Sequence, residues 1–303
     1  MKVILEIDGG GAKGVIPFTV LKNMESKIGK PLHEWVDLVV STSVGTIVGS
    51  SLLIGDKSAK EAQKQFKEDI KDIFKKRFRV PIIQPLYSID KAKKKLEPYI
   101  GGKKLKEAKS KFMFTSVNMV TGRTHFFKSW EEKDGGLDAM VAVPRSFAAP
   151  LFFGSLKDKE NKAVWLDGGT SNNSCPLLQA YIEILRQGWV DETEVHIISL
   201  GCGHIDYSIP YEKAIKYNNI KQVYYYMNPT EGGLARVVAA DTQIQWLKEL
   251  TKKAPNFSFQ RIEYEFKGEE KKMDGMDKVQ YLDEYERIGE QISKDVDYSF
   301  IEG

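Results

Sequence analysis

The sequence predicts an α/β fold in three layers, a central and largely parallel sheet flanked by helices. Two patterns carry this expectation. Short apolar, β-branched runs alternate with segments of helical spacing along most of the chain, and the first two runs each end in a small-residue turn that opens a helix. Composition agrees, because 42% apolar and 29% charged residues among 303 describe an ordinary folded domain and exclude the disordered and fibrous classes.

Lys2 to Ile7 reads as a buried strand, and after a glycine loop Ile16, Val20, Met24 and Ile28 mark one face of a helix over 15–28. Val36 to Val40 is a second strand, followed by a turn at 41–44 and a helix of small residues through Ile54. The stretch from Leu38 to Gly55 is 18 uncharged residues long, near the lower limit for a membrane span. Its hydroxyls (Ser41, Thr42, Ser43, Thr46, Ser50, Ser51) and glycines argue instead for a buried strand and helix.

Ser58 to Phe78 is predicted as a basic amphipathic helix through Phe66, Ile70, Ile73 and Phe74, ending before Pro81. Phe112 to Asn118 and Thr124 to Phe127 read as strands about a turn at Thr121 and Gly122, and Asp138 to Phe147 as a helix. A short strand from Ala163 to Leu166 ends at Asp167. A helix from Leu177 to Arg186, a buried strand from Glu194 to Leu200, and a tail that is helical apart from a strand at Phe257 to Phe266 complete the pattern.

Residues 1–205 are expected to form one domain with a basic helical insert at about 56–111, and 206–303 a mainly helical extension packed on it. The insert holds 18 Lys and Arg against 8 Asp and Glu, so the overall charge of +3 conceals about −7 elsewhere. Such a region attracts anionic lipid or is simply a solvated helix face. No nucleic acid partner is expected. The N-terminus passes from strand to glycines without the apolar stretch of a signal peptide, and Cys175 and Cys202 show neither disulfide nor zinc spacing, so a cytoplasmic protein without metal is expected.

Three motifs fall at predicted strand ends, where α/β sheets bind ligands. Gly9 to Gly14 fits G-x-G-x-x-G, which a nucleotide-binding protein would also carry, but the second strand ends in Ser41-Thr42-Ser43-Val44-Gly45 where such a protein needs an acid for the ribose. A serine on a sharp strand-to-helix turn presents its Oγ as a nucleophile. Ser41 occupies the position of the first glycine of that elbow and should crowd it, and a plain loop with Thr42 or Ser43 as helix N-cap is the alternative. A serine hydroxyl needs a base, whose contribution is worth ~10²–10⁴-fold in rate. Asp167, ending a strand before Gly168 and Gly169, is the candidate. Gly9, Gly10 and Gly11 can offer bare amides to an oxyanion at a helix entrance. His204 follows Ser43 and Asp167 in triad order and is a weaker candidate for the base.

In combination these segments resemble the patatin-like phospholipases. Asp8-Gly9-Gly10-Gly11-Ala12-Lys13-Gly14 matches that family's D-G-G-G-x-[RK]-G loop, Ser41 to Gly45 its GxSxG elbow with the first glycine replaced, and Asp167-Gly168-Gly169 its D-G-[GA] turn. Residues 145–153 and 198–203 resemble two further family segments, so the likeness covers roughly 1–205 and less surely the helix from Tyr281 to Ile292. It implies a patatin-like fold and a Ser–Asp dyad, with Ser43 as nucleophile, Asp167 as proton acceptor, Gly9 to Gly11 as oxyanion hole and no cofactor. Lys13, where the family usually has arginine, cannot offer a bidentate fork. The expected substrates are membrane lipids or phospholipids, with peripheral membrane contact through Phe126-Phe127, Leu151-Phe152-Phe153 or the basic helix. A catalytically silent lipid-binding protein of the same fold is the alternative.

Overall fold

Strand β1 (Lys2–Ile7) sits at the middle of the sheet and is buried on both faces. Val3, Leu5 and Ile7 enter one core and Ile4 the other, as the period of two requires. In the computed structural model, which describes residues 1–76, 83–227, 233–252 and 254–302, helices α1 (Val15–Ile28), α2 (Val44–Leu53), α3 (Ala59–Ile73) and α4 (Ile89–Ile100) follow, with β2 (Leu38–Ser41) between the first two. Next come β3 (Lys111–Asn118), β4 (Arg123–Lys128), β5 (Leu156–Asp158), β6 (Ala163–Asp167), α5 (Leu177–Arg186) and β7 (Val195–Leu200). The C-terminal part adds α6 (Asn219–Met227), α7 (Gly233–Thr251), β8 (Phe257–Ile262) and α8 (Leu282–Ile292).

Among the described residues the sheet has eight strands in the order β5-β6-β3-β2-β1-β7-β8, with β4 also paired to β3. Five of them, β1, β2, β3, β7 and β8, are mutually parallel. Helices α1, α3 and α8 cover the face of Val3 and Leu5, and α5 and α7 cover the face of Ile4 through Leu177, Ala180, Ile184 and Leu247. The predicted three-layer fold is therefore present. No described helix is long and apolar enough to cross a membrane.

Strand β6 runs antiparallel to β3, and this decides the site. Ser116 to Asn118 pair with β6 and also with β4, while Met113 and Phe114 pair with β2 and also with β4. A residue in a sheet has one neighbour on each edge, so β2 and β6 share one edge of β3 and meet along it tip to tip. Ser41 lies opposite Phe114 and Asp167 opposite Ser116. A parallel strand over the same residues would have ended opposite Asn118, two residues further along β3.

Several predicted boundaries move for local reasons. The helix expected to reach Phe78 stops at Ile73, because Phe74 leaves helical geometry to pack edge-on against Tyr87 at 5.0 Å; Phe78 and Pro81 lie outside the described residues. The helix expected over Asp138 to Phe147 is α-helical only for Ala139–Ala142 and continues as a 3₁₀ helix through Val143–Phe147, since Pro144 cannot donate the α bond. Strand β2 starts at Leu38, because Val36 N–H bonds back to Leu32 O. Strand β8 ends at Ile262, beyond which only a bridge between His204 and Glu265 persists. Strand β5 has only three residues and escaped the apolar pattern.

Candidate active site

Ser43 stands at the N-cap position of α2 with φ 55° and ψ −122°, a conformation a non-glycine residue holds at a cost of about 1–3 kcal/mol. Its hydroxyl does not cap the helix. Oγ donates instead to Asp167 Oδ2 at 2.7 Å, and both side chains are nearly buried. The other oxygen of Asp167 accepts the Gly169 N–H at 2.7 Å, which orients the carboxylate.

The elbow is tight where a side chain would meet backbone. A Cβ on Gly45 would lie 2.4 Å from Ile7 O, so α2 can start across the end of β1 only with glycine there. A Cβ on Gly168 would lie 1.9 Å from Thr115 Oγ1. Ser41, by contrast, is accommodated without crowding, for its fully buried hydroxyl bonds Thr46 Oγ1 at 3.1 Å in the first turn of α2. Thr46 bonds Ser146 Oγ at 2.8 Å, and Ser146 Oγ accepts the Ser43 N–H at 3.1 Å. The hydroxyl that replaces the glycine thus joins the network that holds the turn.

Beside the elbow, Gly9 and Gly10 line a cavity of about 370 Å³ together with Ser43, Asp167, Phe152 and Met276. Gly9 N–H is already committed to Ser174 O at 2.9 Å, and Ala12 N–H to Met276 O at 2.7 Å. The amides of Gly10 and Gly11 have no partner among the described residues, so of the three expected donors these two remain open. Gly9 serves by its lack of bulk, since a Cβ there would lie 3.0 Å from Ser43 Cβ. Gly14 is similarly confined, a Cβ lying 2.4 Å from Val44 Cγ2.

The glycine loop is held by residues from the other end of the chain. Lys13 is buried and donates to Asp274 Oδ1 and to Gly203 O at 3.1 Å. Arg261 on β8 grips Asp8 with two bonds, Nη1 to Oδ1 at 3.1 Å and Nη2 to Oδ2 at 2.6 Å, and also reaches Glu263 and Ser199. Burial and the nearby Asp8 hold Glu6 well above the ordinary carboxylate range. Burial acts in the same direction on Glu263, but Arg261 and His204 outweigh it and bring its pKa down to about 2. No motif announced Arg261, Glu263, Asp274 or Met276. The available signal was physical: an acid inside a buried strand, Glu6, and a lysine inside a glycine loop both require partners.

His204 is not beside the dyad. Its Nδ1 lies 3.8 Å from Glu263 Oε1, which raises the imidazole pKa, and it lines a different cavity. Of the segments expected to meet a membrane, Phe66, Ile70 and Ile73 are buried because the apolar face of α3 packs on α1, and Phe127, Phe152 and Phe153 are buried too, whereas Phe126 is half-buried and Leu151 exposed. Both cysteines are buried thiols.

A serine elbow and a glycine loop at the carboxyl ends of neighbouring strands of an α/β sheet form the architecture on which acyl hydrolases are built. The model of the patatin-like phospholipases matches residues 5–181, and the chain belongs to that family. It is 27% identical over 226 residues to a cGAMP-activated phospholipase of Escherichia coli (strain TW11681), covering 68% of this chain and 63% of that protein. A cGAMP-activated phospholipase of Vibrio cholerae is 26% identical over 235 residues, with 68% and 65% covered. The chain thus spans just under two thirds of the length of these relatives. Among solved structures, VipD from Legionella pneumophila aligns over 94% of this chain and 66% of its own, with 11% identity and a TM-score of 0.40.

Proposed function

We propose that this chain is a lipid acyl hydrolase of the phospholipase A or lysophospholipase type, with Ser43 as nucleophile and Asp167 as proton acceptor. The observation that carries the reading is the 2.7 Å bond from Ser43 Oγ to Asp167 Oδ2, made by a serine held in a strained turn. As Oγ attacks the ester carbonyl carbon, its proton passes to Asp167 and the carbonyl oxygen takes the negative charge. The open amides of Gly10 and Gly11 are the donors for that oxyanion, where one donor is worth about 3 kcal/mol. Collapse breaks the ester C–O bond, Asp167 returns the proton to the leaving alcohol, and water then cleaves the acyl-enzyme to release fatty acid. None of these steps calls on a cofactor.

Contact with a lipid surface is expected where apolar side chains stand exposed beside the cavity. Leu151 forms part of its wall, and Val238 and Trp246 lie on α7, whose Ala235 and Ala239 line it.

The test is fatty acid release from mixed phospholipids by the wild type, Ser43→Ala and Asp167→Ala, beside labelling of Ser43 with a fluorophosphonate. Release that survives both substitutions refutes the reading, and absence of labelling favours a silent lipid-binding protein. Running the assay with and without cGAMP asks whether this chain shares the activation named for its relatives. His204→Ala should leave hydrolysis of a simple ester at the wild-type rate.

A further inference from the structure

A cavity of about 770 Å³ is lined by residues of β4, β5, β6 and the single helical turn Glu132–Gly135 that follows β4. It shares no lining residue with the Ser43 cavity. Its lining includes Arg145, whose side chain is only 8% exposed and whose guanidinium lies over the rings of Phe127 and Trp165, 5.5 and 5.0 Å from their centroids.

The carboxylates of this lining are spent on neighbours and the cations are not. Asp158 accepts Arg145 Nη2 at 2.8 Å, and the N–H and Nδ2 of Asn161 at 3.0 Å each. Asp134 accepts the Lys128 N–H at 3.2 Å and pairs with His125 Nε2 at 3.2 Å. Arg145 uses Nη2 alone, so its Nη1 and Nε have no hydrogen-bond partner among the described residues. Burial holds its pKa below the ordinary guanidinium value, against the opposing pull of Asp158 and Asp134. The exposed side chains of Arg123 on β4 and Lys133 in the helical turn also make no ion pair or hydrogen bond among the described residues. Cations from three elements therefore line one space with donors to spare.

We propose that this cavity binds a soluble phosphate monoester, a sugar or polyol phosphate, with the phosphate held by Arg123, Lys133 and the unused edge of Arg145. The assignment is independent of the reading of Ser43. A phosphate dianion offers acceptors on all sides to cations that reach it from different elements, whereas a carboxylate offers one charge in one plane. The volume lies within the ~300–1,000 Å³ of small-ligand sites, so there is room for an organic group beside the phosphate. Thr124 Oγ1 and Asn118 Nδ2 have no hydrogen-bond partner among the described residues and are left for its hydroxyls. A lining this polar does not suit an acyl chain.

Isothermal titration calorimetry on the full chain compares glucose 6-phosphate with gluconate, which carries one carboxylate on a similar polyol, and with glucose. Glucose 6-phosphate should bind at least about tenfold more tightly than gluconate, and glucose should not bind. Arg123→Gln and Lys133→Gln should each weaken glucose 6-phosphate by about threefold, and the double variant by about tenfold, as expected for two exposed ion pairs. Both positions are at the surface, and an unchanged melting temperature checks the fold. Ser43→Ala should bind glucose 6-phosphate as the wild type does, because the catalytic cavity is a separate space. Failure of glucose 6-phosphate to bind, gluconate binding as tightly, an affinity unchanged in the double variant, or its loss in Ser43→Ala overturns the assignment, whatever the hydrolysis assays return for Ser43.

Discussion

Lys13 in the glycine loop is buried against Asp274, 261 residues further along the chain, and their pairing fixes the loop from behind. The family usually has arginine at the lysine position, yet what the site asks of it is a single point charge reaching one carboxylate and the Gly203 carbonyl. Its Nζ lies 5.7 Å from the Phe266 ring centroid.

Removing one partner of this pair leaves the other buried and uncompensated. Lys13→Met and Asp274→Leu should each destabilise the protein by ~3–5 kcal/mol, and the double variant by clearly less than the sum. Urea denaturation of the four proteins measures the coupling, and additive losses would show that the two residues act separately.

Gly11 has φ +61°, and a Cβ there would come within 2.2 Å of Met276 O. Gly11→Ala should therefore abolish most fatty acid release and cost ~2 kcal/mol or more. Met276→Ala should fail to rescue it, since the obstructing atom belongs to the backbone. Rescue in the double variant would point to the side chain instead.

Restoring the family's glycine should not improve this elbow. Ser41→Gly removes the bond to Thr46 and adds chain entropy, together about 1–2 kcal/mol of stability. Fatty acid release should stay within about twofold. A gain in stability on chemical denaturation would contradict the account of Ser41 given above.

Glu6 carries a pKa raised by burial and by Asp8, so its stabilising contribution is complete below its unfolded value and declines as pH rises toward the folded one. Glu6→Gln removes that decline. Melting temperatures of variant and wild type should be close near pH 4.5 and separate upward from it, with the variant higher at pH 8. A gap that narrows with rising pH would reverse the assignment.

Much of this was readable in the chain. The β1 and α1 boundaries follow from an apolar strand and a regular helical stripe, and Ser43 and Asp167 stand where two glycine-flanked turns interrupt apolar runs. The direction of β6 was not readable, because a five-residue strand carries no signal of its orientation, and antiparallel pairing to β3 is what brings Asp167 to Ser43. Nor could spacing show that Gly9 N–H is spent on Ser174 or that Arg261 closes on Asp8. Those contacts join segments distant in sequence whose only local trace is a charged residue in an apolar context.

The tip-to-tip meeting of β2 and β6, with the loop clamped by Arg261, Asp274 and Met276, also sets when during synthesis such a site exists. A ribosome delivers Ser43 early, but its partner follows 124 residues later and the clamp nearly 100 residues after that. At ~5–20 residues per second the nascent serine stays unpaired for several seconds and the loop unclamped for longer. A chain interrupted before its final strand and helix would lack the clamp on its glycine loop. In such a chain the glycines of residues 9–11 would stand without Arg261, Asp274 and Met276 behind them.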